Sequence, residues 1–192
     1  MNSKDALKQY RTAALNAADE IKRVRSIYKE SEADRLENGI RERLSAKKAE
    51  AMSVFDAEIA DGNRRAEEWA RLDGSKITSD AKLLDFDLSP AEYGELVERY
   101  KENGTMSRLL FAYGEKRNQA RAEKHPGEAT SPFDEGYFDT STVPTKESKS
   151  REYAGDAIKA KSLADLMTLD RGYMRGVDSE MVNAEYSAFM GE

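Results

Sequence analysis

KDALKQYRTAALNAADEIKRVRSIY, residues 4–28, is the stretch that decides the fold of this chain. Its apolar residues recur in steps of three and four that average about 3.5 residues, the spacing of a seam between packed helices. The seam consists of Leu7, Tyr10, Ala14, Ala17, Ile21, Val24 and Tyr28. The stretch therefore predicts a helix over residues 4–31 with a coiled-coil-like seam on one side and charged residues on the other.

A second apolar line predicts a helix from about Asp34 to Ala60, but its average step is about 3.8 residues and the heptad is not maintained. That drift favours a helical hairpin, or helices that meet in an oligomer, over one continuous two-stranded coiled coil. Asn38-Gly39 is either a break or a glycine tolerated within the helix. Asp61-Gly62-Asn63 predicts the next break, and Arg64 to Leu72 a short separate helix.

Residues 76–124 carry the clearest local signals. Ser79 or Asp80 is expected to cap a short turn, and Ser89-Pro90-Ala91-Glu92 has the N-cap, the N1 proline and the capping-box glutamate of a helix start. Asn103-Gly104 should end that helix, and Thr105 should cap the next. Both helices have an apolar stripe, so the segment predicts an αα-hairpin.

Residues 125–149 interrupt the helical pattern. Three of the four prolines of the chain fall there, at Pro126, Pro132 and Pro144. With Phe133, Tyr137 and Phe138 among many small polar residues, the segment predicts a flexible linker or an extended arm.

Residues 150–192 return to a helical pattern, with candidate breaks at Arg171-Gly172 and Arg175-Gly176. The methionines and aromatic residues of this segment are typical of a docking helix. The alternative is that the segment folds back onto the body of the protein.

The predicted fold is all-α: an elongated helical bundle or set of hairpins with an N-terminal coiled-coil-like seam and an extended proline-containing arm. We divide the chain into a charged helical region (1–75), a hairpin module (76–124), a linker (125–149) and a docking segment (150–192). With 35% charged and only 39% hydrophobic residues, the chain is too polar for a large core, which favours such a shape.

Composition excludes several kinds of site. The chain has no cysteine, so disulfides, thiolate metal sites and cysteine nucleophiles are excluded. The one histidine, His125, has no second ligand or catalytic partner nearby in the sequence, and we interpret it as a loop residue. No phosphate-binding glycine motif occurs. We therefore expect no catalysis, no metal, no cofactor and no small-molecule substrate.

Carboxylate and basic clusters are interpreted as ordinary surface. Asp73-Gly74 lacks the ligand register of a calcium loop, and Asp80, Asp85 and Asp87 match no metal template. The net charge is −6, and the acidic excess lies in residues 76–192. We therefore do not expect the protein to bind nucleic acid, although Lys22-Arg23-Val24-Arg25 is a small basic cluster.

We see neither an export signal nor an apolar run that approaches about 20 residues. The expected location is the host cytoplasm or a virion, with no secretion and no membrane partner.

Residues 76–118 contain KITSDAKLL, LSPAEY, YKENGTMSRLL and YGEKRN. This layout resembles small helical proteins found among the head and assembly components of tailed bacteriophages and prophages. The charged helices that precede it are similar to the long helical portions of phage scaffolding proteins. The resemblance implies a role in a virion or in capsid assembly, with self-association and without catalysis.

We therefore expect a non-catalytic phage structural or capsid-assembly protein that binds other copies of itself and a capsid or tail protein. A small acidic phage inhibitor of a host defence protein is the alternative, and a hydrolytic enzyme is a third option. The candidate partner-binding residues are Leu7, Tyr10, Ile21, Val24, Tyr28, Trp69, Leu163, Leu166, Met167, Met181, Tyr186, Phe189 and Met190.

Overall fold

The computed structural model describes residues 1–125, 136–169 and 176–192. Their α-helices are α1 (Ser3–Ile27), α2 (Glu30–Ala70), α3 (Pro90–Tyr100), α4 (Gly104–Lys124), α5 (Lys146–Leu166) and α6 (Glu180–Met190). Short 3-10 helices occur at Gly74–Lys76, Ser79–Asp85 and Thr140–Thr142. The described residues contain no strand, so the prediction of an all-α fold is confirmed.

The chain forms two compact units. Unit 1 consists of residues 1–63 and 153–192, and unit 2 consists of residues 64–152. The boundaries fall inside α2 and inside α5, and therefore do not coincide with the four segments expected from composition.

The core of unit 1 is built around the apolar face of α1. Leu7 and Tyr10 of α1 are buried together with Phe55 of α2, Leu163 of α5 and Tyr186 of α6. The Tyr10 hydroxyl donates a hydrogen bond to the carbonyl of Met167 at 2.9 Å, and burial is the main cause that raises the pKa of Tyr10 to about 12. The seam of α1 is therefore covered by other helices of the same unit.

The first two helices form a hairpin. Ala17 and Val24 of α1 are buried in one cluster with Ala33 and Ile40 of α2, so the end of α1 packs against the beginning of α2. The turn lies at Tyr28, whose extended backbone ends α1. α1 and α2 therefore form a helical hairpin, one of the two arrangements that the drifting period of the second apolar line favours.

The expected break at Asp61-Gly62-Asn63 is wrong, because α2 runs without interruption from Glu30 to Ala70. It also continues through Asn38-Gly39, and the segment from Arg64 that was predicted as a separate short helix is the last part of α2. Gly62 is retained inside the helix for a packing reason. A Cβ atom placed there would lie 2.8 Å from the Cβ of Ala154 and 3.0 Å from its backbone nitrogen, so only glycine lets α2 approach α5 this closely.

The core of unit 2 is an aromatic cluster between α3 and α4. The rings of Tyr93, Tyr113 and Phe138 lie with their centroids 5.3 to 6.2 Å apart, two of the three pairs edge to face. Leu96 and Leu110 complete the buried centre of the predicted αα-hairpin.

The observed helix caps agree only in part with those predicted from the sequence. Ser89 and Glu92 form the predicted capping box of α3. The N-cap of α4 is Asn103 rather than Thr105, because the Asn103 side chain accepts from the backbone N–H of Met106. The 3-10 helix Ser79–Asp85 begins after Thr78, without a side-chain cap.

The expected flexible arm is wrong for residues 136–149, because this part of it is folded into unit 2. Phe138 and Val143 are buried in the aromatic cluster, and α5 already begins at Lys146. The Asn118 amide fixes this stretch by bonding both the N–H and the carbonyl of Phe138. Pro126, Pro132, Phe133 and Arg171-Gly172 lie outside the described residues.

The two glycines inside α2 should respond in opposite ways to alanine. Gly39→Ala meets nothing within 4 Å, so the better helix propensity should raise the free energy of unfolding by about 0.5–1 kcal/mol. Gly62→Ala forces the helices apart and should lower it by about 1–3 kcal/mol. Urea unfolding of both variants measures this, and equal shifts of the same sign would contradict the packing role of Gly62.

Candidate functional site

Most of the partner-binding candidates in unit 1 lie in its interior. Those buried in its core are Leu7, Tyr10, Leu163, Met167, Tyr186 and Phe189, and Leu166 and Met190 pack against them. Helix α6 is thus folded back within its own unit, which is the alternative that the sequence left open for this segment. These side chains are not presented as a surface in this structure.

The remaining candidates are distributed more widely. Val24 is buried and Ile21 partly buried in the hairpin of α1 and α2. Tyr28 and Met181 are 48% and 45% exposed, and Trp69 is half-buried in unit 2. The structure therefore does not gather the candidates into one surface.

A cleft of about 740 Å³ in unit 1 is lined in part by a network of ion pairs. Glu37 is buried, and its two carboxylate oxygens accept from Arg25 at 2.8 Å and from Arg41 at 2.9 Å. Arg41 also donates to the carbonyl of Leu169 at 3.0 Å. This network ties α1 to α2 and to Leu169, three residues beyond the end of α5, and its charged groups pair with one another within the unit.

Unit 2 exposes an unusual number of large apolar side chains in one stretch. We call residues 72–86 the exposed apolar segment. Leu72 and Phe86 are 60% and 65% exposed, and Ile77 and Leu83 are exposed as well. Exposed apolar side chains that form a contiguous patch mark interaction surfaces, which makes this segment a candidate.

Two of these side chains, Leu83 and Phe86, belong to one short turn of the chain. Leu83 lies within the 3-10 helix Ser79–Asp85, and Phe86 is the extended C-cap of that helix, whose N–H donates to the Leu83 carbonyl at 3.1 Å. Leu84, one residue further round, packs instead against the aromatic cluster. The helix therefore turns one leucine inward and holds Leu83 and Phe86 outward.

Hydrogen bonds from α3 and α4 hold the exposed apolar segment in place. Asp80 accepts from the Tyr100 hydroxyl and from Arg99, both at 2.8 Å. The Phe86 carbonyl accepts from the Tyr113 hydroxyl at 3.0 Å and from Arg117 at 3.1 Å. The segment is consequently a fixed surface rather than a loose loop.

A smaller cleft of about 300 Å³ lies elsewhere in unit 2, and we call it the Trp69 cleft. One face of α4 and the beginning of α5 line it together with the end of α2. Its lining is Trp69, Ala70, Gly104, Ser107, Arg108, Phe111, Pro144, Thr145, Lys146 and Glu147. It combines aromatic surface with basic groups.

Neither a metal cluster nor a membrane-spanning helix is found in residues 1–125, 136–169 and 176–192. The three aspartates near the exposed apolar segment do not converge. Asp80 is held by Tyr100 and Arg99, and Asp87 pairs with Arg117.

Sequence reasoning missed both surfaces of unit 2. For the exposed apolar segment a signal was available, because the adjacent Leu83 and Leu84 of a short helix cannot both face inward, and Phe86 stands between Asp85 and Asp87. For the Trp69 cleft there was no local signal, since Trp69, Phe111 and Pro144 are far apart in the sequence.

Comparison with known proteins identifies no relative: no family model matches the chain, and neither a curated protein nor a solved structure does.

Acid should weaken the anchoring of the exposed apolar segment. The hydrogen bonds from Tyr100 and Arg99 hold the pKa of Asp80 below its ordinary value of 3.8. The stabilisation by Asp80 is therefore complete above the unfolded-state pKa and is lost as pH falls through the lower folded-state pKa. We expect Asp80→Asn to unfold at a lower temperature than the parent at pH 7, with a difference that shrinks towards pH 2.

Asp85→Asn is the matched control, because Asp85 belongs to the same 3-10 helix and its carboxylate has no hydrogen bond or ion pair with a described residue. Its melting temperature at pH 7 should stay close to that of the parent. If the Asp80→Asn curve also stays parallel to that of the parent down to pH 2, the anchoring role of Asp80 is wrong.

Proposed function

We propose that this chain is a non-catalytic structural or capsid-assembly protein of a tailed bacteriophage or prophage. It acts by self-association and by binding a capsid or tail protein, in the host cytoplasm or in the virion. The resemblance of residues 76–118 to head and assembly proteins gives the proposal its biological setting. The observation that carries it in the structure is the exposed apolar segment of unit 2.

The exposed apolar segment suits self-association. Leu83 and Phe86 are exposed at the end of a short helix that hydrogen bonds fix to α3 and α4. Preorganised apolar side chains lose little freedom when they are covered, so a partner gains most of the free energy of their burial. Two copies that meet through the same patch form a closed, symmetric contact, which is the commonest arrangement among homo-oligomers.

The burial of the α1 seam favours the exposed apolar segment over the seam as the surface for self-association. Its residues Leu7 and Tyr10 are buried in the core of unit 1, so using them for self-association would require that core to open. The exposed apolar segment is available without such a rearrangement.

The acidic inhibitor of a host defence protein remains the second candidate, since the acidic excess of the chain lies in residues 76–192. Many of the carboxylates there are already matched within unit 2. Asp80 pairs with Arg99, Asp87 with Arg117 and Glu98 with Lys101. This internal pairing weakens the negative field that a nucleic-acid mimic would need.

Sedimentation velocity over a range of concentrations tests the proposal. We expect the parent chain to self-associate and Phe86→Glu to weaken the association constant about tenfold or more, as for an interface hot spot. Ile158→Glu is the control, because Ile158 is an exposed apolar residue of unit 1, 45% exposed, outside the segment. A monomeric parent at the highest concentration, or equal effects of both variants, would contradict the role of the segment.

A further inference from the structure

We infer that the Trp69 cleft is a docking site for a short acidic segment of a partner protein, which inserts one apolar side chain. This inference rests on the proposed function in one respect, namely that the chain acts by binding proteins. It assigns a second surface, whose lining shares no residue with the exposed apolar segment.

The size of the cleft limits what enters it. A volume of about 300 Å³ is at the lower end of ligand pockets, so it holds one side chain and its neighbouring backbone rather than a large cofactor. Interfaces concentrate their binding energy in such pockets, each filled by a single anchor residue. The dimensions therefore favour a peptide anchor.

One face of α4 forms a wall of the cleft. Gly104, Ser107, Arg108 and Phe111 follow the spacing i, i+3, i+4 and i+7, which places them on one side of the helix. The opposite side of α4 carries Leu110 into the aromatic core. Phe111 is 40% exposed, so part of its apolar ring surface is left uncovered by the described residues.

Trp69 forms another wall and is held firmly. A Cβ atom on Gly104 would lie only 2.0 Å from the carbonyl oxygen of Trp69, so the end of α2 and the start of α4 are in direct backbone contact. The buried Lys149 places its ammonium 5.8 Å from the centroid of the Trp69 ring system. That ammonium is itself fixed by Glu102 and Glu152, at 2.9 Å each. The site is consequently preformed.

Of the two basic residues that line the cleft, Lys146 and Arg108, only Lys146 has an ion-pair partner among the described residues. Lys146 pairs with Glu67 at 2.9 Å. Glu147 turns towards the start of its own helix, where hydrogen bonds from its backbone N–H and from the Thr145 hydroxyl lower its pKa. Arg108 is exposed and makes no ion pair or hydrogen bond with a described residue.

Arg108 decides the chemistry of the occupant. A guanidinium beside an aromatic, apolar pocket complements a carboxylate that flanks an apolar anchor, and it offers that carboxylate a bidentate contact. A basic segment would meet Arg108 with repulsion. The occupant is therefore an acidic segment with an aliphatic or aromatic anchor.

The chain has one tryptophan, so the indole of Trp69 reports on the cleft directly. The experiment follows the Trp69 indole N–H resonance and the tryptophan fluorescence of the full chain while N-acetylated pentapeptides are added. The probe is Ser-Asp-Leu-Asp-Ser. The comparison peptides are Ser-Lys-Leu-Lys-Ser, which reverses the charge, and Ser-Asp-Ser-Asp-Ser, which removes the anchor.

We expect saturable shifts with the acidic leucine peptide at millimolar concentrations, and weaker effects of both comparison peptides. Arg108→Glu should weaken binding of the acidic leucine peptide roughly two- to fivefold and strengthen binding of the basic one. Lys116→Glu is the matched control, because it makes the same change of charge on an exposed residue about two turns further along α4. It should change neither affinity appreciably.

Phe111→Ala supplies an independent check on the anchor, since it removes apolar surface from the cleft without a change of charge. It should reduce binding of the acidic leucine peptide while circular dichroism shows unchanged helix content. An indole that responds to no peptide, or equally to the peptide without leucine, overturns the inference. So does a shift with protein concentration alone, because the occupant would then be a second copy of this chain.

The outcome separates the two proposals. If the peptides fail to bind while the chain still self-associates through Phe86, the Trp69 cleft loses its role and the proposed function stands. If the acidic leucine peptide binds to a chain that remains monomeric, self-association is wrong and the cleft keeps its role.

Discussion

Burial of the apolar face of α1 is the constraint on which unit 1 depends. Leu7 and Tyr10 are covered by residues from α2, α5 and α6, so parts of the chain far apart in sequence are brought together by one helix. Much of the favourable free energy of folding comes from such removal of apolar surface from water. Because this face is buried within unit 1, the seam that the sequence shows is part of the core of that unit.

Unit 2 is held together in part by hydrogen bonds rather than by burial of apolar surface alone. Its aromatic cluster uses Tyr93, Tyr113 and Phe138, and the hydroxyl of Tyr113 bonds the carbonyl of Phe86 and the N–H of Leu88. Hydrogen bonds from α3 and α4 replace burial along residues 72–86, so apolar side chains remain on a surface that is nevertheless well fixed. An exposed and ordered surface of this kind is what recognition requires.

Local sequence signals predicted local structure well. The capping box of Ser89 and Glu92 and the all-α fold follow from residue types and spacing, because the interactions concerned lie within one or two helical turns. Gly62 shows where this reasoning ends. A glycine between Asp61 and Asn63 has every local feature of a break, yet contact with Ala154, far along the chain, keeps it inside α2.

The same limit applies to the candidate surfaces. The apolar residues of α6 form a periodic face that must be covered, which led to the prediction of a docking helix. Periodicity does not show what covers such a face, and here it is the rest of unit 1. The Trp69 cleft was invisible for a related reason, since Trp69, Phe111 and Pro144 meet only in the folded chain. Conversely, residues 136–149 have the composition of a linker, but burial of Phe138 and Val143 holds them within unit 2.

The burial of Lys149 has a chemical consequence. Its side chain is only 4% exposed and lies between two carboxylates, whereas most lysines of this protein extend into water. An amine must be unprotonated and accessible to be acylated, and the Lys149 ammonium is neither while Glu102 and Glu152 hold it. The Lys149 amine can therefore be acylated only when unit 2 opens locally. Its acylation rate would report how often the region beside Trp69 unfolds.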